Sequence, residues 1–361
     1  MIYSSFPKSL FLKHKKNLLN NITKTLNSGN YINSINVKNF EKNFAKYLGV
    51  KYTIGVGNAT DALFIILKAL NIGYKDEVIL PSHTAIATAI SVSNTGAKPI
   101  FVDIGEDYNI DHKIIAKKIS KNTKAIIAVH IYGQPCNIKE LKLITKKNKI
   151  PLIEDCSQST GSEYNNKKTG SFGIASCFSF FPTKNLSTFG DAGAISTNNK
   201  VLYKTMLKYR EYGWNKNRNS EVIGINSRLD EIHASILIYN LQILDKNIQN
   251  RIEIANYYFK NIKNKNIKLP KIYKERKNSY HLFVIQVKNR NKLLKIFEKN
   301  GFKLGIHYRL PAHRQKIYLT KRKFELVNTD NISNRGISLP IYPHLEKNYL
   351  KKVVNILNNF N

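Results

Sequence analysis

Lys184 closes the apolar run Phe178-Ser-Phe-Phe-Pro-Thr-Lys184 and is followed by Asn-Leu-Ser-Thr-Phe-Gly-Asp-Ala-Gly193. A lysine carried out of a strand into a glycine-bearing turn is poised for imine chemistry. An apolar site disfavours the ammonium form, and the neutral amine can then attack an aldehyde. Upstream, Ile150-Pro-Leu-Ile-Glu154-Asp155-Cys-Ser-Gln158 reads as a strand ending in a carboxylate. In open α/β sheets, ligands gather at that C-terminal end. An aldehyde cofactor that acts as an electron sink through a protonated ring nitrogen needs such a carboxylate partner. Lys184 and Asp155 together therefore point to pyridoxal 5'-phosphate (PLP), with Gln158 available to hydrogen-bond its ring oxygen. Two plainer readings compete: Lys184 as a charge that merely ends a strand, and Asp155 as a helix N-cap.

A phosphate needs its own cradle. Tyr52-Thr-Ile-Gly55-Val-Gly57-Asn58-Ala59-Thr60-Asp61-Ala-Leu63 reads as a short strand, a glycine turn and the start of a helix running to about Leu70. Such a helix start offers free backbone N–H groups and the positive end of the helix dipole to an anion. Thr60 stands where the third glycine of a dinucleotide fingerprint would be, and no Lys-Ser/Thr pair follows as in a P-loop. A phosphate monoester suits this turn better than a dinucleotide, and Ser179, five residues before Lys184, can add a hydroxyl to it.

The elements that must carry these residues are legible as alternating strand and helix patterns. Strand-like runs cover 52–56, 77–80, 99–104, 125–131, 151–154, 175–180 and 192–196. Their alternation with helical stretches predicts a mostly parallel sheet covered on both faces. From Leu229 to Phe259, apolar residues recur at three- and four-residue steps, which predicts one long amphipathic helix bridging to a C-terminal domain. That smaller domain is placed at 245–361, with a strand at 281–287, a helix at 291–300 and a last helix from about Lys347. The N-terminal arm and the large PLP-binding domain occupy 1–244.

Length and composition suit an enzyme of two such units. Cys136, Cys156 and Cys177 have no paired spacing, which speaks against a zinc site and a disulfide framework. No apolar stretch is long enough to span a membrane, so a cytoplasmic protein is expected. The 58 basic and 24 acidic residues give a net charge of +34, a balance that ordinarily suggests nucleic acid. Here the lysines are spread along the whole chain, interleaved with Asn and Ile as in 260–268, and no nucleic-acid-binding motif accompanies them. A basic mouth would equally attract an anionic nucleotide-sugar.

In this order the segments resemble the sugar aminotransferases of the DegT/DnrJ/StrS family, PLP enzymes of the aspartate-aminotransferase fold (fold type I). The resemblance rests on eleven segments: 40–49, 57–63, 81–88, 96–103, 129–135, Glu154-Asp155, the Lys184 run, 224–232, 280–284, 306–308 and 338–343. It implies that Lys184 is the Schiff-base lysine, Asp155 the partner of the pyridinium nitrogen and Gln158 the ligand of the ring hydroxyl. By the same resemblance Ala59, Thr60 and Ser179 bind the phosphate, and Asn226 reaches it from the neighbouring subunit of a homodimer. Three positions depart from the family pattern. Ala59 replaces a usual glycine, Ala85 replaces an aromatic that stacks on the cofactor, leaving that role to His83 or to nothing, and His233 replaces a common Gln and is read as packing.

The Pro182–Leu186 and Gly190–Gly193 segments, with Ile306-His307-Tyr308, resemble the members that act at C-3 of dTDP-3-keto-6-deoxyhexoses. That implies transfer from L-glutamate to give a 3-amino-3,6-dideoxy sugar for surface glycans. Substrate contacts are expected from His307, Tyr308 and Arg228, the last being a cation for a diphosphate or carboxylate, or else half of a structural salt bridge. The alternative is a C-4 aminotransferase acting on a UDP- or dTDP-4-keto sugar. A dehydratase of the same family, which lacks the lysine, is disfavoured by Lys184. A regulator on this fold and a nucleic-acid-binding protein are the remaining readings.

Overall fold

The computed structural model describes residues 1–319 and 325–361. Its centre is a sheet of seven strands in the spatial order Tyr52–Val56, Gly193–Thr197, Ala175–Ser179, Leu152–Asp155, Thr123–Val129, Glu77–Pro81 and Lys98–Val102. Gly193–Thr197 runs antiparallel to both its neighbours, and the remaining pairings are parallel. The strands expected from the sequence are these seven, with ends displaced by at most two residues.

Period-two alternation decides which side chain enters which layer. Val78, Leu80, Ile127, Ile153, Cys177 and Ile195 point into a core closed by the helices Ala59–Ala69, Ile86–Ser93 and Lys200–Arg210. Their neighbours Ile79, Ile126, Ala128 and Leu152 face the helix Ile138–Asn148 on the other side. Phe178 and Ala194 join Phe40 and Phe44 of the helix Ile35–Leu48. Both faces are covered, so the central strands are largely apolar on both sides, and their few polar side chains, such as Glu154, Ser176 and Ser196, are buried.

The expected single helix from Leu229 is two helices, Glu231–Gln242 and Leu244–Asn261, broken at Ile243 (φ −101°, ψ 1°). Neither proline nor glycine occurs between 231 and 261, so the apolar pattern runs on without a visible stop. The halves serve different cores. Ala234 and Leu237 pack against Phe40 and Phe44, whereas Ile254, Ala255 and Tyr258 pack with Phe283, Phe297 and Leu339 of the C-terminal part. That part is built on the antiparallel pair Phe283–Gln286 and Gly336–Leu339, with the helices Arg290–Lys299 and Lys347–Asn358. The N-terminal Ile2–Tyr3 pairs in parallel with Phe302–Lys303, which attaches the start of the chain to this C-terminal core. No helix among the described residues is long and apolar enough to cross a membrane.

Candidate active site

Val129, Asp155 and Ser179 are the last residues of three adjacent parallel strands, and all line one cavity of about 230 Å³. Ala59, Thr60, Gln158 and Lys184 share its wall. These seven residues, separated by up to 125 positions, thus converge because parallel strands end on the same side of a sheet.

The helix Ala59–Ala69 is aimed at this cavity by its cap. Asn58 Oδ1 accepts the Asp61 N–H at 2.9 Å, and Asn58 Nδ2 donates to Asp61 Oδ2 at 2.9 Å. Ser227 ties the turn down, donating to Asp61 Oδ2 at 2.7 Å and accepting the Gly57 N–H at 3.0 Å. The amides of Ala59 and Thr60, ahead of the first helical bond, remain free to meet an anion. Gly193 is needed where its strand passes beneath this turn, since a Cβ there would stand 2.6 Å from the Asn58 carbonyl carbon.

Lys184 sits in the turn after Ser179, its N–H donating to Phe181 O at 2.9 Å. Burial lowers its ammonium from 10.5 to about 8, against the opposing pull of Asp155 first and Cys177 second. No helix starts after Asp155, so the N-cap reading does not apply. The carboxylate instead accepts the Ser157 N–H on Oδ1 at 3.0 Å and the Thr88 hydroxyl on Oδ2 at 2.9 Å.

Gln158 is held with its amide in one orientation: Oε1 accepts the Tyr132 N–H at 2.8 Å and Nε2 donates to the Tyr308 hydroxyl at 2.7 Å. One Nε2 proton is left for the cavity. Tyr308 therefore braces Gln158. Burial, then the charge of Asp155, raises its phenol above the ordinary range, so it stays protonated. His307 bonds Ser338 Oγ through Nδ1 at 2.8 Å, and burial followed by the Lys184 charge lowers it to about 4.

His83 does not reach the cavity wall; Ala85 does. The His83 ring lies edge-on to Tyr132 and Tyr308, at 5.8 and 6.1 Å, with Nε2 on the Tyr132 hydroxyl. Burial, with a smaller push from His307, lowers it to about 3, so it is neutral. Asn226 is exposed and Arg228 is half-buried, and neither lines this chain's cavity. Arg228 lies 3.5 Å from Glu211 and 5.9 Å from the Tyr212 ring, the contacts of a structural ion pair. His233 packs as read from the sequence, its Nδ1 bonded to Thr188 Oγ1 at 2.8 Å.

Sequence reasoning passed over Thr84, Thr88, Ser157, Phe181 and Asp191, all on the wall. It also passed over His281, whose imidazole is held well below its ordinary range by burial and then by the charge of Lys184. Small hydroxyl residues inside an apolar run carry no spacing signal toward a carboxylate far along the chain.

His130, Glu154 and Cys156 bring three potential metal ligands within 4.8 Å, yet their donors and acceptors are already committed. The Glu154 carboxylate takes the N–H groups of Gly170, Phe172 and Gly173, the Ser176 hydroxyl and His130 Nε2. The Cys136 N–H donates to His130 Nδ1, so Nε2 carries the ring proton and gives it to Glu154. Burial raises the Cys156 thiol well above its usual range, away from the thiolate a metal would need. This cluster anchors the strand that presents Asp155.

The cavity thus combines a weakly basic amine, a carboxylate with both oxygens held, an amide proton and an anion cradle. These are the groups that the aldehyde, ring nitrogen, ring oxygen and phosphate of PLP require. Comparison with known proteins agrees. The sequence profile of the DegT/DnrJ/EryC1/StrS aminotransferase family matches residues 13–358. A dTDP-3-amino-3,6-dideoxy-alpha-D-galactopyranose transaminase of Aneurinibacillus thermoaerophilus is 40% identical over 354 residues, 98% of each chain. The structure superposes on DesV of S. venezuelae with a TM-score of 0.96 and 31% identity, covering 99% of this chain and 97% of that one. It superposes on Bacillus subtilis NtdA with bound cofactor PMP at 0.89 and 29% identity, covering 96% and 81%. With matches of this extent, the chain belongs to the DegT/DnrJ/EryC1/StrS aminotransferase family and is a PLP-dependent sugar aminotransferase.

Proposed function

We propose that this enzyme moves an amino group from L-glutamate to C-3 of a dTDP-3-keto-6-deoxyhexose, yielding a dTDP-3-amino-3,6-dideoxyhexose for surface glycans. The observation that carries the chemistry is Lys184 and Asp155 on the wall of one cavity beside the uncapped amides of Ala59 and Thr60. The choice of C-3 and of dTDP rests on the 40% identity to the transaminase of Aneurinibacillus thermoaerophilus.

In this reading Lys184 would hold the cofactor's aldehyde carbon, Asp155 its ring nitrogen and Gln158 its ring oxygen. The amides of Ala59 and Thr60 and the Ser179 hydroxyl take the phosphate. When bound, PLP supplies the electron sink for both half-reactions. The Lys184 amine would take and return the proton that amino transfer moves. An amine near pKa 8 is matched to taking and returning that proton close to neutral pH. Burial keeps Tyr308 protonated and His307 neutral, so neither adds a charge that would compete with Asp155. Exposed Asn226 suits a contact made across a homodimer, which would complete the phosphate cradle.

The test is the absorbance spectrum of the purified enzyme, before and after glutamate and then after the 3-keto sugar. A visible cofactor band that bleaches with glutamate and returns with the 3-keto sugar is expected. Return only with a 4-keto sugar would move the reaction to C-4. Lys184→Ala is expected to lower turnover at least ~10³-fold while PLP still binds non-covalently. Near-normal turnover by that variant would overturn the role of Lys184.

A further inference from the structure

We propose that Thr88, with Thr84 behind it, is a positioning residue that sets the plane of the Asp155 carboxylate against the cavity. This rests on the reading that Asp155 serves the ring nitrogen of PLP. Thr88 Oγ1 stands 2.9 Å from Asp155 Oδ2, and Thr84 Oγ1 stands 2.9 Å from Thr88 Oγ1. Both threonines are buried, at 2% exposure for Thr84 and 1% for Thr88.

Proton accounting gives the pair a direction. An ionised carboxylate only accepts, so the one hydroxyl proton of Thr88 goes to Oδ2. The Thr88 oxygen must then accept from Thr84, and the relay runs Thr84 to Thr88 to Asp155. Each hydroxyl dipole reinforces the next in a buried, low-dielectric setting.

The backbone builds this relay locally. Thr84 precedes the helix Ile86–Ser93 and Thr88 lies in its first turn, with the Thr88 N–H donating to Ala85 O at 3.0 Å. A four-residue step puts both side chains on one face, and both line the cavity. On the other oxygen, Oδ1 accepts the Ser157 N–H at 3.0 Å. The Cys177 side chain also hydrogen-bonds this carboxylate. With a donor on each oxygen the carboxylate is held against turning about its Cβ–Cγ bond, and its unused lone pairs keep a constant aim. Removing the Thr88 hydroxyl takes its donor from Oδ2 and loosens that hold. Because Thr88 is 67 residues from Asp155 in sequence, the helix after one strand is adjusting the carboxylate at the tip of another.

The experiment uses the full-length enzyme and three variants: T88V, which keeps the shape and loses the hydroxyl, T88S, which keeps the hydroxyl, and T84V. Each apoprotein is titrated with PLP, and the pH midpoint of the bound cofactor's visible band is recorded. T88V is expected to bind PLP roughly tenfold more weakly, the worth of one hydrogen bond to a charged group, and to shift the midpoint. T88S should match the wild type in both, and T84V should move in the direction of T88V by less. A T88V enzyme with wild-type affinity and midpoint overturns the proposal, as does a T88S enzyme as impaired as T88V, which would make the effect one of packing. Should T88V be recovered unfolded, T84V decides: a shift supports the relay and wild-type behaviour overturns it. A wild-type protein that takes up no PLP would overturn the functional reading, and this proposal with it.

Discussion

At the scale of single residues, the cleft works by desolvation. Burial brings Lys184 to about 8, so capture of an aldehyde by the apoenzyme should accelerate as pH rises and level off above about 8. The negative charge of Asp155 favours the ammonium, so Asp155→Asn should lower that midpoint further. Stopped-flow measurement of PLP capture across pH checks both, and a midpoint near 10.5 would contradict the desolvation argument. The same shift has a cost in stability. The folded value lies below the unfolded one, so the fold disfavours the ammonium. That penalty is full below about 8 and vanishes as pH climbs toward 10.5. Lys184→Met should therefore stabilise the apoprotein at neutral pH, by on the order of 2–3 kcal/mol, with the gain shrinking above pH 8. Urea unfolding of both proteins at neutral and alkaline pH would show it. The amine and the carboxylate were legible in the sequence because one follows an apolar strand and the other ends one. Tyr308 was legible as a site residue, but its bond to Gln158, 150 residues away, was not.

At the scale of elements, one helix start is held by a group borrowed from elsewhere in the chain. Ser34 makes no cap bond to the helix Ile35–Leu48. Glu231 does so from another helix, its carboxylate accepting the N–H groups of Ser34 at 2.6 Å, Asn36 at 2.8 Å and Val37 at 3.1 Å. Glu231 is 1% exposed, so Glu231→Ala strands one buried and two part-buried donors and should cost about 3 kcal/mol, read from denaturant unfolding. Asn58→Ala removes the cap that aims the proposed phosphate cradle. It should cost ~1 kcal/mol of stability and weaken PLP binding, which titration of the apoprotein would report. The seven strands were legible because each is short, apolar and bounded by turn residues. The break at Ile243 was not, because no residue there stops a helix and only the pull of two separate cores bends it.

At the scale of the whole molecule, Arg251 joins parts that lie far apart in sequence. From the helix Leu244–Asn261 it donates to the carbonyls of Tyr280, His281 and Ile341, at 3.3, 3.5 and 2.7 Å. It is 5% exposed and has no carboxylate partner among the described residues, and burial lowers it to about 10. Arg251→Met should loosen this junction, costing ~3 kcal/mol and broadening the thermal transition, with PLP affinity falling because His281 lies beside Lys184. Calorimetry of the two proteins would measure it.

By itself, the order of residue types determined that this chain is an alternating α/β sheet with a carboxylate at one strand end, an amine in the turn after another strand and a helix start open to an anion. Periodicity and end signals are local, and local signals are written in neighbouring residues. Only the tertiary structure decided which of those groups touch. It put Thr88 on Asp155, Tyr308 on Gln158 and Glu231 on a distant helix, and it left His83 behind the wall that Ala85 lines. Such contacts depend on where parallel strands end and helices cross, and side chains brought together by that convergence have no spacing of their own in the sequence.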